Sequence, residues 1–255
     1  MIIAIGIIGY VAGRSDVPGE SPIAGATGSE EAGTSATPAV TPRPTPPPTP
    51  EPEGVVEKTQ EVVLAWQREF SDYVSYQVVL EVQNIGTGWA ELSAFDSDYT
   101  ILRPDGSVVT TGSFTYEYPT FVGPGEFGYL IADGSDIGGG GSVVADYATV
   151  EISGRYDPVA SPEATFEVTD IALKPEAFGG GQVATGFVTP SEDVTDAALA
   201  VICLGPEGQV WGGTWTNLLQ NLTAGQPKGF ETVGGIPPLH PSCASVRGYA
   251  SDTGF

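Results

Sequence analysis

Eight of the fifteen residues from Pro38 to Pro52 are proline. Proline lacks a backbone N–H and fixes φ, so this run excludes a helix and a central strand. It is read as an extended spacer. In polyproline II, fifteen residues reach roughly 45 Å. The segment before it, from Arg14, is Gly, Ser, Thr, Ala, Glu and Pro with almost nothing large and apolar. Such a stretch cannot bury enough surface to offset its ordering entropy. Residues 14–58 are therefore expected to be a disordered linker, Gly/Ser/Thr-rich and then Pro-rich.

The chain opens with MIIAIGIIGYVAG, which carries no charged side chain before Arg14. Thirteen helical residues span about 20 Å, short of the ~30 Å hydrocarbon core. The stretch also lacks the basic flank of a secretory signal. The expectation for residues 1–13 is the tail half of an uncleaved membrane anchor, truncated at its N-terminus. A cleaved signal peptide and a buried Ile-rich strand are the alternatives.

About two hundred residues remain to fold. They are rich in Gly, Thr and Val and poor in the residues of a charged amphipathic helix, which favours strands. The formal net charge is −23. It is spread along the chain: −4 over residues 1–58, −11 over 59–156, −2 over 157–163 and −6 over 164–255. A surface of that sign repels nucleic acid and anionic headgroups, which need basic partners. Any membrane association is assigned to the N-terminal segment.

Alternation with period two marks half-buried strands. Val78, Leu80 and Val82 alternate with Gln77, Glu81 and Gln83, although Val79 interrupts the pattern. A strand around Ala90–Leu102 follows, then a turn at RPDGSVV, where Pro104 presets φ and Gly106 accepts positive φ. SVVTTGSFTYEY is read as the next strand, VGPGEFGYLI as a turn feeding Phe127–Ile131, and DYATVEISGRY as the closing strand. From Thr165 the same order returns. TFEVTDIAL and GGGQVATGFVTP lead to a strand, GPEGQV stands in the place of RPDGSV, LTAGQPKGFETV in that of FVGPGEFGYLI, and CASVRGYASD in that of TVEISGRYD. The expectation is all-β: two tandem immunoglobulin-like antiparallel β-sandwich domains, 59–156 and 164–255, joined by DPVASPE from Asp157. A single large sandwich is the alternative. The short, proline-bearing joint is expected to restrict the domains' relative orientation.

Cys203 falls in the third strand of the second unit and Cys243 just before its last. Neither belongs to a C-x-x-C pair, and no His cluster completes a zinc site. A disulfide suits an oxidising compartment; two buried thiols are the alternative.

The pattern carried by Val82-Gln83-Asn84, Pro104-Asp105-Gly106-Ser107-Val108-Val109 and Pro124-Gly125-Glu126-Phe127 resembles the FxLYD and telokin-like extracellular domains of bacterial surface proteins. Gly205-Pro206-Glu207-Gly208-Gln209-Val210 and Ala224-Gly225 carry it in the second unit. The F-x-L-Y-D string itself is absent, and Val188-Thr189-Pro190 replaces V-x-N in the second unit. The resemblance implies a β-sandwich of about 90 residues, often behind a membrane anchor and a linker, without known catalysis.

Little in the sequence carries chemistry. His240 lies in a proline-bound loop with no nucleophile elbow in the chain. Asp252-Thr253-Gly254 occurs once, at a chain end, where an aspartic protease needs a pair. Asp96 with Asp98, and Asp133 with Asp136, are read as a solvated face or turn, with a cation as the alternative, although calcium needs six or more oxygens and the EF-hand glutamate is absent. The Gly run 138–141 has no G-K-[ST] after it. Asn221-Leu222-Thr223 is a sequon that matters only in a eukaryotic secretory route. No catalytic residue, cofactor or metal is assigned. Trp211 and Trp215, four apart with Gly212 and Gly213 between, would share a face of a regular strand. Tyr116 and Tyr118 are a similar pair. These four are the candidate binding surface, for a peptide or a glycan, with sandwich core as the alternative. The reading is a non-catalytic, membrane-tethered, extracytoplasmic protein of the bacterial cell surface, acting in binding or spacing toward a surface protein or glycan. It would be secreted if the N-terminus is cleaved. The alternative is a carbohydrate- or peptide-binding module using the Trp211/Trp215 face.

Overall fold

The computed structural model describes residues 53–67, 74–93, 96–135, 147–175, 182–216, 218–233 and 243–253. The chain divides into two compact units, 1–48 and 49–255, and every described residue belongs to the second. The expected anchor at 1–13, the linker up to Pro52, the Gly run 138–141, Asp136 and His240 lie outside the described residues. Among the described residues no helix is long and apolar enough to cross a membrane.

The fold is all-β. The first half holds β1 (Val56–Gln67), β2 (Val74–Asn84), β3 (Trp89–Glu91), β4 (Asp98–Leu102), β5 (Val108–Ser113), β6 (Tyr116–Tyr118), β7 (Phe121–Val122), β8 (Phe127–Ser135), β9 (Thr149–Ser153) and β10 (Asp157–Val159). The second half holds β11 (Phe166–Pro175), β12 (Gln182–Pro190), β13 (Val194–Leu204), β14 (Val210–Trp215), β15 (Leu219–Leu222), β16 (Lys228–Glu231) and β17 (Ser245–Asp252). Two stretches read as linker belong to the fold. Residues 56–58 start β1, and Asp157–Val159 pairs with β3. The single strand expected over SVVTTGSFTYEY is two. At Phe114 the chain leaves β4, where its N–H bonds Ser97 O at 3.0 Å. One residue later Thr115 bonds Ile131 O of β8, also at 3.0 Å.

All pairings are antiparallel. The sheets run β1-β2-β8-β6, β10-β3-β7 and β5-β4-β9 in the first half. The second half has β11-β12-β16 and β14-β13-β15, with β17 on β13. Among the described residues, strands pair only within each half. The halves meet face to face. One core lies between β2-β8 and β4-β9, with Val78, Leu80 and Leu130 against Ile101 and Val150. A second lies between β12-β16 and β13, with Val188 and Phe230 against Leu199 and Val201. A third joins the halves, with Val79, Tyr129 and Ile131 against Ala200, Ile202 and Leu204.

The result is four stacked layers, and it explains two irregularities in the sequence. Sheet β1-β2-β8 is covered on both faces, so Val78, Val79 and Leu80 are all fully buried. Val79 interrupts the alternation because it serves the third core. ALAVICL loses alternation for the same reason. Burying one Val, Leu or Ile stabilises by about 1.5–3 kcal/mol. The third core, more than the short joint at Asp157, therefore fixes the halves.

The repeated turns match bond for bond. Arg103 N bonds Ser107 O at 2.8 Å and Gly106 N bonds Arg103 O at 2.9 Å. Gly205 N and Gly208 N do the same to Gln209 O and Gly205 O, at 2.8 and 3.0 Å. Gly125 N reaches Asn84 O as Gly225 N reaches Pro190 O, at 2.7 and 2.8 Å. The turn glycines Gly106, Gly125, Gly208 and Gly225 have φ of 83°, 79°, 80° and 67°, which a side chain would oppose. A bulge recurs as well. The register passes from Ile101↔Thr110 to Leu102↔Val108, and from Cys203↔Gly212 to Leu204↔Val210, so Val109 and Trp211 are the extra residues.

The matching layers differ on their outer faces. Ala200, Trp215 and Tyr249, which face the third core, pair with one another across β13, β14 and β17. Asp98, Ser113 and Ser153 pair in the same way across β4, β5 and β9, and all three are exposed.

Candidate functional site

The structure separates the two tryptophans expected to share a face. Trp211 is the bulged residue, which shifts the alternation by one. It packs on the core of the second half, whereas Trp215 packs on the core between the halves. Both are half-buried. The intervening glycines serve close packing. A Cβ on Gly212 would lie 2.7 Å from Leu64 Cδ1, and one on Gly213 would lie 3.0 Å from Ile202 Cδ1 and 3.1 Å from Ile131 Cδ1.

Trp215 instead joins the expected tyrosines. Its ring stacks on Tyr116 with centroids 4.9 Å apart, and Tyr116 lies 6.3 Å from Tyr118. Tyr118 is buried, which pushes its phenol up from its ordinary pKa. Burial, and then the nearby Asp133 charge, raise Tyr116. The group therefore combines Tyr116 and Tyr118 of β6 with Trp215 of β14. It lines a cleft of about 600 Å³ where the halves meet, with Leu218 exposed at its rim.

A second cleft, of about 470 Å³, shares Thr120, Phe121, Ser251 and Asp252 with the first. Its walls come from Trp89, Phe121 and Phe127 on one side and Phe166 on the other. Five consecutive residues of β17, Gly248–Asp252, complete it. Thr120 N–H donates to Ser251 Oγ at 2.8 Å and ties the first half to β17 at this point. Glu126 and Asp252 supply negative charge here, and Glu91, Glu117 and Asp252 in the neighbouring cleft. No Lys or Arg among the described residues lines either. Apolar clefts with a few polar groups at a junction suit ligand binding. The sequence reading missed Trp89, Phe121, Phe127 and Phe166. Each stands alone on a short element or at a strand end, without periodic spacing to mark it.

Near the junction of the halves Glu81 and Gln60 are matched, whereas the buried Thr216 Oγ1 has no hydrogen-bond partner among the described residues. Glu81 is buried and accepts bonds from Tyr129 Oη at 2.7 Å, Thr59 Oγ1 at 2.8 Å and Gln60 Nε2 at 3.1 Å. Val210 N–H donates to Gln60 Oε1 at 2.9 Å. Asp133, opposite Gln77 on β8, is pushed up to about 6 by burial, against the lowering effect of the Gln77 bond.

Cys203 and Cys243 form a disulfide, with Cα atoms 5.5 Å apart. Asp96 accepts from Ser93 Oγ at 3.2 Å and Asp98 from Ser113 Oγ at 2.6 Å. Among the described residues no three His, Cys, Asp or Glu side chains gather to hold a metal ion. Asn221 is exposed, with φ of 54°.

The chain matches no protein-family model, no curated protein and no solved structure.

Proposed function

We propose that this is a non-catalytic protein displayed outside the cytoplasm, tethered by its N-terminal apolar segment and held off the membrane by the Pro-rich spacer. Its folded part, two tandem immunoglobulin-like sandwiches, binds a surface protein or glycan. The Cys203–Cys243 disulfide carries this reading, because such bridges form and persist in oxidising compartments. The recurring turns and bulge support two copies of one module. The junction cleft, with aromatic walls and acidic groups, supports binding and disfavours nucleic acid, which needs cationic partners.

The test is fractionation of source cells producing the full chain, with protease added to intact cells and thiols counted. The expected result is a membrane-bound protein, extracted by detergent and not by alkali, digested from outside, with no free thiol. Recovery in the cytosol with two free thiols overturns the reading.

A further inference from the structure

The second cleft opens on the edge of a sheet. Strand β17 pairs with β13 alone, in unbroken register from Ala197↔Asp252 to Leu204↔Ser245. Its other edge belongs to no sheet among the described residues. The matching edge in the first half, on β9, is closed by side chains. Val150 N–H donates to Glu61 Oε2 at 3.0 Å, and Val150 O accepts from Lys58 Nζ at 2.6 Å. Lys58 and Glu61 are themselves paired at 2.6 Å. Such a plug blunts an edge that would otherwise template another strand.

Among the described residues the second half has no such plug. Lys58 pairs with Val82 as Val168 pairs with Val188, and Ile171 follows Val168 by three residues as Glu61 follows Lys58. Val168 and Ile171 pack in the core and can bond no main chain. Val150 corresponds to Val246, since Leu102↔Thr149 matches Leu204↔Ser245. Alternation then turns the main chain of Gly248, Ala250 and Asp252 away from β13. Thr253 N–H, bonded to Asp196 O at 3.1 Å, keeps the opposite phase. These residues line the cleft between Phe121 and Phe166.

The geometry points to β17 as a docking edge for an extended, Lys- or Arg-bearing peptide segment of a partner protein. The peptide adds a strand in the cleft, with alternate side chains against Phe121, Phe127 and Phe166 and its cations toward Glu126 and Asp252. Main-chain bonds give such a site its affinity and the side-chain pockets its selectivity. A neutral glycan would use the aromatic walls and leave the charge and the strand edge unused. This inference rests on the reading of the folded part as a binding module.

The test uses the full chain in detergent micelles and four probes. They are a nine-residue alternating Lys/Val peptide, its Glu/Val counterpart, the Lys/Val peptide N-methylated at alternate amides, and chitohexaose. Tryptophan fluorescence reads binding, and hydrogen exchange reads residues 247–253. The Lys/Val peptide is expected to bind and to slow exchange in that segment about tenfold. N-methylation on the bonding edge is expected to weaken binding at least about tenfold. Glu126→Gln, which keeps the acceptor for Gly123 N–H, should weaken it about threefold and flatten its salt dependence. Asp252→Pro removes one outward donor at an edge that tolerates proline. If that variant does not fold, the N-methylated peptide still decides. Failure of the Lys/Val peptide at millimolar concentration, equal binding of the Glu/Val peptide, or binding without protection of 247–253 overturns the inference. Chitohexaose binding in place of the peptide overturns it too, and leaves the binding-module reading intact.

Discussion

Gln77 and Gly213 form a two-bond pair across the junction of the halves. Gln77 Nε2 donates to Gly213 O at 3.1 Å, and Gly213 N–H donates to Gln77 Oε1 at 3.2 Å. Gln77 is fully buried. The amide side chain thus stands in for a neighbouring strand along β14. Gln77→Leu leaves both main-chain groups of Gly213 buried and unpaired. A cost of about 2–4 kcal/mol is expected, read as a lower midpoint in chemical denaturation. An unchanged midpoint would show that water reaches the pair.

Asn84 is the second test of buried polar matching. It donates to Gly88 O at 2.8 Å and Val122 O at 2.9 Å, and accepts from Gly86 N at 2.9 Å and Val55 N at 3.1 Å. One side chain therefore closes the loop after β2 and holds the entry to β1. Asn84→Ala is expected to destabilise by about 3 kcal/mol. Asn84→Asp should cost nearly as much, since a carboxylate would face two carbonyls. Thermal unfolding of both variants checks this.

The disulfide encloses a sequence separation of 40. Loop entropy for that length is worth about 4 kcal/mol. Reduction or Cys203→Ala/Cys243→Ala should lower the stability of the second half by about that amount. Exchange rates should rise first in β13, β14 and β17. Uniform loosening of both halves would instead mean that they unfold as one unit.

Asp133 links the junction to pH. Its carboxyl titrates near 6 in the folded protein, above its ordinary value of 3.8. The folded state therefore binds more protons than the unfolded state between those values, and stability falls as pH rises through them. Asp133 faces Gln77, and its charge reaches Tyr116 and Tyr99. Asp133→Asn should flatten the dependence between pH 4 and 6 and raise stability at pH 7 by up to about 2 kcal/mol. Parallel stability curves for the two proteins would exclude Asp133 as the source.

The turns were legible because Gly106, Gly125, Gly208 and Gly225 mark positions that local sterics dictate, whereas β1 and the split of SVVTTGSFTYEY into β5 and β6 were not. The disulfide followed from strand position. The junction was less legible. Val79 broke the alternation, and a single apolar residue on the polar face of a strand does not say what covers it. The bulge was hidden too. Nothing in GQVW distinguishes it from a regular start, so Trp211 and Trp215 read as one face. Tyr116 and Trp215 meet only because two distant sheets stack. The edge of β17 escaped because the difference lies in Lys58 and Glu61 of a different half.

The seating of one half on the other sets sheet β1-β2-β8 of the first against the β13 layer of the second, two surfaces that do not correspond. A contact of that kind, repeated, closes into a ring only where its rotation permits and otherwise extends into a fibre. What stops it is chemical. Where the second half presents Ala200, Trp215 and Tyr249, the first presents Asp98, Ser113 and Ser153 to water. The four described layers end on this side in a sheet that three hydrophilic side chains keep wet.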